Sequence, residues 1–405
     1  MDPLSEQTPF EVLSLSLRFE NQEQQDWWQL TAPVLGQLML HANYEVHQQY
    51  QYLVLFAHEI IPLLGPFPKN CRSTAQRALD PLEFCRNFQQ AGNNIRLMFL
   101  PQSYHHHLNR QDPFGRSLTR AVLAKLGQVS GIELDLQVYY QLASLLTLTK
   151  TEEEKILQST GWDNLSHPFN VQNAVGMLLA KTGKVMLKID WFLPVKSMAT
   201  GTPAVKLAFD AFRKLDQGDH LILPALRPME DYFRTIEMQP SSPSSPQTME
   251  CVAMSCHLGG KASSRLKVYF KDSLLKFDRV ADVWTLGGRL NHCPGIMEGL
   301  EILRSLWTIL EIQEGYHYPA AQKSDMMSRN PGSGSTSSTD PQFFDGQGLG
   351  YNFEIRPGHP WPQPKIYFAP PCLTDSKTVD AMVMFFKTLG WEEEASRYKM
   401  NLQTY

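Results

Sequence analysis

Apolar positions recur three and four residues apart from residue 25 to 64, through Trp28, Leu35, Leu38, Leu40, Leu53, Leu55 and Ile60. That spacing predicts helix up to the stop Gly65-Pro66-Phe67-Pro68. The same period predicts helices over 117–127, 134–146, 170–182, 203–215, 297–312 and 376–389. Between them lie short β-branched or aromatic segments bounded by Gly, Pro or Asn, at 94–100, 184–192, 265–270, 351–355 and 364–369, which read as strands. Helices and strands alternate along the whole chain. That excludes a helical bundle and a pure β-sandwich and predicts an α+β fold.

Composition sharpens this picture without changing it. Hydrophobic residues make up 42% and charged residues 19%, so a large core is available. Lys and Arg number 37 against 41 Asp and Glu, a formal charge of -4, which argues against an electrostatic nucleic-acid binder. Cys71, Cys85, Cys251, Cys256, Cys293 and Cys372 match neither zinc-ribbon nor redox-pair spacing and read as reduced thiols. No basic stretch followed by an apolar run opens the chain, and the apolar run 52–64 is interrupted by His58 and Glu59. The expected compartment is therefore the cytoplasm, with no membrane span. The Pro/Ser-rich stretch 240–246 and the polar 330–340 cannot bury enough apolar area to order themselves. We expect one domain over 1–405 with flexible loops near 238–249 and 322–345. No GxGxxG or GxxxxGK[ST] opens a helix, and no GxSxG or HExxH supports a hydrolase.

The chemistry is written on the strands. In Arg265-Leu266-Lys267-Val268-Tyr269, residues two apart share a face, so two cations and a phenol line up opposite Leu266 and Val268. Lys365-Ile366-Tyr367 repeats the grammar, Lys188-Ile189-Asp190 gives a related version, and Arg96 stands alternately with Ile95 and Leu97. Taken strand by strand, these could be solvated basic faces of edge strands. Four strands with one grammar favour a shared cavity. Five cations facing one cavity are costly unless a strongly anionic ligand, such as a diphosphate, meets them. Phenol rings above them would suit the cation left when that diphosphate departs.

With those residues in view, the sequence resembles the fungal aromatic prenyltransferases of the dimethylallyltryptophan synthase family. The likeness runs in order through Trp27-Trp28, Ala42-Asn43-Tyr44, Leu63-Leu64-Gly65-Pro66, Asp80-Pro81-Leu82-Glu83-Phe84, Leu187-Lys188-Ile189-Asp190, Arg265 to Tyr269, Trp284 to Gly288 and Gly390-Trp391. It implies a closed barrel of antiparallel strands ringed by helices, with both substrates meeting in the lumen. It also implies transfer of a dimethylallyl group from dimethylallyl diphosphate to an aromatic acceptor, most often an indole, in secondary metabolism. By the resemblance, Arg96, Lys188, Arg265, Lys267 and Lys365 hold the diphosphate, and Lys188 also assists its departure. Tyr269 and Tyr367 shield the cation. Glu83 binds the acceptor N–H and takes its proton, with Leu82 and Asp190 beside the acceptor. Because Leu82 and Phe84 flank Glu83, its carboxyl is expected to be desolvated and raised, as a base requires. No cofactor or metal is implied, and no DDxxD magnesium motif is present. The expected partners are a small aromatic acceptor and the prenyl diphosphate, with the protein a monomer or homodimer.

Two departures stand out. Asp190 occupies a position where the family usually carries a shield tyrosine, and Trp191 should point away from the lumen by alternation. Tyr405 follows Gly390-Trp391 closely, where the family usually continues into a strand pair, so the barrel is expected to be incomplete at its C-terminal side. These keep open a non-catalytic, ligand-binding relative and, for the acceptor, a phenolic polyketide. His105-His106-His107 reads as loop, since consecutive side chains cannot all reach one ion. Glu152 to Glu154 and Glu392 to Glu394 read as solvated helix starts.

Overall fold

The computed structural model describes residues 7–67, 81–88, 93–102, 112–160, 172–216, 220–237, 249–259, 265–315, 348–369 and 375–402. Both expected loops, apart from Met249, and the three consecutive histidines lie outside the described residues.

Nine strands form one sheet: β1 (Leu82–Asn87), β2 (Asn94–Phe99), β3 (Ile132–Glu133), β4 (Asn173–Leu179), β5 (Val185–Phe192), β6 (Met249–His257), β7 (Leu266–Asp272), β8 (Gly348–Ile355) and β9 (Gln363–Ala369). Their order is β1-β2-β4-β5-β6-β7-β8-β9, antiparallel throughout, and β3 adds in parallel at the start of β5. Strict alternation sorts the side chains. Ile95, Leu97, Phe99, Val175, Met177, Leu187, Ile189, Val268, Phe270 and Phe353 fill one face and are buried with the helices in the main core. Trp191 points the same way and stacks on Tyr139 of the helix Leu136–Leu146 at 5.9 Å. The other face lines the inside of the curl. The sheet is a half-barrel wrapped by helices, and among the described residues β1 and β9 end its ladder.

Five expected strands and most expected helices are present. One expectation is overturned: 170–182 is not a helix, because residues 173–179 form β4. The strand is covered on both faces, so apolar residues run almost without interruption and mimic a helical spacing.

Helices hold the curl from outside. Trp27, Trp28, Leu35 and Met39 of the helix Gln22–His41 are fully buried, each contributing about 1.5–3 kcal/mol of apolar burial. Asn21 caps that helix by accepting the Gln24 N–H at 2.9 Å. After β9, the helices Asp375–Thr388 and Glu392–Leu402 return to β1. Phe386 meets Phe88 at 5.1 Å, and Glu394 pairs with Arg86 at 3.1 Å and accepts from Asn93 at 2.8 Å. Glu394 is therefore not the solvated residue expected. Neither are Glu152, paired with Lys196 at 2.7 Å, and Glu153, buried 4.0 Å from Arg116.

Candidate active site

Register places the chemistry in rows across the inner face. Glu83 pairs with Met98, Met98 with Gly176, Gly176 with Lys188 and Lys188 with His257, which makes one row over five strands. At roughly 4.8 Å per strand, Glu83 and Lys188 stand about 14 Å apart along the sheet, and less across its curl. A second row runs Asp190, Ser255, Lys267, Glu354 and Gln363. Tyr269, Asn352 and Lys365 form a third.

Gly176 makes room for Lys188: a Cβ there would stand 2.7 Å from Lys188 Cε. The Lys188 ammonium lies 3.0 Å from Asp190 Oδ2 and 5.9 Å from the centre of the Tyr269 ring. Burial alone would lower its pKa, but Asp190 and Tyr269 outweigh that and raise it, so the charge is secure. Asp190 is itself 1% exposed. Tyr269 and Tyr367 lie 6.5 Å apart, with the Tyr269 hydroxyl 3.3 Å from Ser255 Oγ and the Tyr367 hydroxyl accepting from Asn352 at 2.6 Å. Burial pushes both phenols up, so they are neutral rings.

Lys267 and Lys365 converge on one carboxylate. Glu354, 1% exposed, has Oε2 3.3 Å from Lys267 and 3.4 Å from Lys365, and Oε1 accepts from Arg356 Nε at 2.7 Å. Burial would raise the Glu354 carboxyl, yet Lys365, Lys267 and Arg356 bring it down to about 2. Burial, then Lys365, pushes Lys267 down to about 8 against the pull of Glu354. Burial also lowers Lys365. His257 is held neutral, down to about 3, by burial and then by Lys267, Lys188 and Arg265. Arg96 lies against Asn87, whose amide, assigned with its oxygen toward the guanidinium, accepts from Nε at 3.1 Å and Nη2 at 2.8 Å. From β2 its charge helps to lower Lys365 of β9.

Not every expected residue falls into this cluster. Arg265 is exposed at the rim, just before β7, where its carbonyl accepts from the His257 N–H. Leu82 is on the opposite face, buried in the core, and cannot contact an acceptor in the curl. Glu83 faces inward but is exposed, and accepts from Cys85 Sγ at 2.9 Å. The desolvation expected from its neighbours does not arise, because Leu82 and Phe84 turn to the helices; Phe84 packs on Phe56 at 5.8 Å. Glu354, Asn352, Ser255, His257 and Gly176 escaped the sequence reading. Polar alternation opposite Tyr351, Phe353 and Ile355 was the available signal for Asn352 and Glu354.

An inner face of lysines and tyrosines on a curled antiparallel sheet has counterparts among known proteins. The family described as tryptophan dimethylallyltransferase matches residues 23–401. The chain belongs to that family. A prenyltransferase named ucdE from Aspergillus ustus is 52% identical over 98% of this chain and 88% of its own length. The verruculogen prenyltransferase of Neosartorya fischeri is 49% identical over the same shares. Among solved structures, AnaPT from Neosartorya fischeri superposes with a TM-score of 0.79 at 27% identity, covering 98% of this chain and 89% of that one. NotF, solved in complex with brevianamide F and DMSPP, gives 0.77 at 27% identity over 98% and 90%. Membership in the tryptophan dimethylallyltransferase family makes the chain a prenyl-transferring enzyme. No helix among the described residues is long and apolar enough to cross a membrane.

Proposed function

We propose that the protein transfers a dimethylallyl group from dimethylallyl diphosphate to an aromatic acceptor, an indole before a phenol, without a metal ion. The observation that carries this reading is the convergence of Lys188, Lys267 and Lys365 on one face, with the Tyr269 ring over the Lys188 ammonium. Arg96, Lys188, Lys267 and Lys365 would grip the diphosphate, with Arg265 guiding it at the rim. The allylic C–O bond breaks and its electron pair leaves with the diphosphate, whose growing charge Lys188 meets. Tyr269 and Tyr367 face the allyl cation and keep water from it. The acceptor ring supplies the electrons of the new C–C bond, and its proton passes to Glu83. Asp190 would then lie beside the allyl group, where the family's tyrosine usually stands. A barrel closed between β1 and β9 belongs to the same reading, supported by the effect of the Arg96 charge on β2 upon Lys365 on β9.

Relatives support an indole acceptor: one is a roquefortine prenyltransferase, another a deoxybrevianamide E synthase, and NotF was solved with brevianamide F. A ligand-binding relative without turnover is not favoured, since curated proteins matching 98% of the chain are prenyltransferases. The test is calorimetric titration with a thiolo analogue of dimethylallyl diphosphate in EDTA, followed by acceptor screening for a mass gain of one dimethylallyl group. Micromolar binding and a prenylated indole are expected. A folded protein that binds no analogue would end the reading.

A further inference from the structure

Glu354 is a buried carboxylate set among the groups that would bind an anion. On electrostatics alone it opposes a diphosphate, so its presence there needs a reason. Its two oxygens hold three cations: Lys267 and Lys365 through Oε2, at 3.3 and 3.4 Å, and Arg356 through Oε1 at 2.7 Å. The three come from β7, β9 and the residue after β8, so one carboxylate ties adjacent segments of the curl. Further charge acts on Lys267 from Lys188 on β5 and Arg96 on β2, with neutral His257 on β6 beside it, while Asp190 on β5 is paired to Lys188 and Arg265, exposed before β7, bears on His257. The phenols of Tyr269 and Tyr367 complete the surroundings. Cations therefore outnumber carboxylates around Lys267, and it is itself buried. A lysine so placed surrenders its proton unless a carboxylate touches it.

Resting on the donor-site reading above, we infer that Glu354 is a positioning residue for the diphosphate. It keeps the Lys267 and Lys365 ammoniums charged and side by side, and so sets the upper pH limit of donor binding. Lys267 already titrates at about 8 with Glu354 in place. Losing an opposite charge at hydrogen-bond distance lowers a pKa by roughly 1–3 units. In Glu354→Gln, Lys267 would then be largely neutral at mildly alkaline pH and regain its charge only as pH falls past about 7 to about 5. Once Lys267 is charged, the variant keeps every cation and lacks an anion that repels the ligand. Its affinity relative to the parent must therefore rise as pH falls.

The experiment is titration of the parent and Glu354→Gln with the thiolo analogue of dimethylallyl diphosphate from about pH 5 to about pH 9. Comparing the two proteins at each pH cancels the ionisation of the ligand itself. The expected result is roughly tenfold weaker binding by the variant at about pH 8.5, with the deficit shrinking steadily as pH falls toward about 5. A loss by the same factor at every pH would assign Glu354 to structure alone and overturn the inference, as would superimposable curves. Lys267→Arg provides a second reading if Glu354→Gln does not fold, because a guanidinium does not titrate in this range. Its binding should lose the alkaline decline of the parent, and persistence of that decline would overturn the inference. Failure of the parent to bind the analogue at any pH would strike the donor-site reading itself.

Discussion

Replacing Gly176 by Ala tests whether the site depends on space as much as on charge. Gly176 lies on β4 directly across from Lys188 and has no positive φ, so alanine suits its backbone. An added Cβ would stand 2.7 Å from Lys188 Cε, whereas ordinary contact begins at 3.4 Å. The lysine chain must therefore shift by the difference, about 0.7 Å. It can do so because Cε is near the end of a flexible side chain. A shift of that size moves the ammonium off its place against a ligand and stretches a Lys188–diphosphate hydrogen bond beyond its ordinary length. A charge-assisted hydrogen bond is worth about 1.5–3 kcal/mol, which corresponds to roughly ten- to a hundredfold in affinity. Alanine in a strand interior costs less conformational entropy than glycine, so global stability should change by no more than about 1 kcal/mol. Urea unfolding and calorimetric titration with the thiolo donor analogue read the two effects separately. A folded variant with unchanged donor affinity would refute the idea that Gly176 exists to seat Lys188.

Lys188→Ala should raise the donor KM at least about tenfold, whereas Arg265→Ala, exposed at the rim, should cost only about threefold. Steady-state kinetics at fixed acceptor decides, and unchanged values in both would remove the diphosphate assignment. Asp190→Asn leaves a buried ammonium without its counter-charge, so stability should fall by about 3 kcal/mol while donor binding tightens. Weaker donor binding by that variant would mean that Asp190 orients Lys188 rather than competing for it. Acid should unfold the protein partly through His257, whose folded pKa of about 3 lies below its ordinary 6.5. A group depressed in this way contributes its stability above pH 6.5 and loses it as pH falls toward 3, at most about 5 kcal/mol in all. Urea midpoints for the parent and His257→Gln between about pH 7 and about pH 5, above the range where Glu354 begins to contribute, should fall more steeply with acid in the parent.

The legible parts of this molecule were those in which one face is polar and the other apolar. β7 and β9 alternate cations and phenols with apolar residues, β5 alternates Lys188 and Asp190 with Leu187 and Ile189, and that alternation puts Lys188, Lys267 and Lys365 on the polar side of their strands. β4 was misread because both its faces are covered, and its essential residue, Gly176, announces itself by lacking a side chain. β6 offered only Val252 as a β-branched residue, so His257 and Ser255 went unseen. Glu83 was placed on the inner face by family register, yet its expected burial failed for a local reason. Flanking residues on a strand point away from the residue they flank, so Leu82 and Phe84 shelter the helix side and not Glu83. Glu354 could have been anticipated from charge balance, since several buried cations in an unliganded protein require counter-ions.

That balance explains how one site can be stable when empty and still receptive. Buried Lys267 and part-exposed Lys188 and Lys365 each have a carboxylate at hand, Asp190 for Lys188 and Glu354 for the other two, so folding strands none of these three ammoniums without a partner. Among the described residues, six cations, Arg96, Lys188, Arg265, Lys267, Arg356 and Lys365, nevertheless stand around these two buried carboxylates, and His257 stays neutral among them. The surplus is of the same order as the two to three negative charges, about what a diphosphate ester carries near neutral pH. Had every cation its own carboxylate, the empty site would be more stable and the ligand would find no field. With no carboxylate at all, the lysines would shed protons and the field would collapse. The partial compensation seen here fixes the lysines in place while leaving the charge that an anionic leaving group needs as it departs.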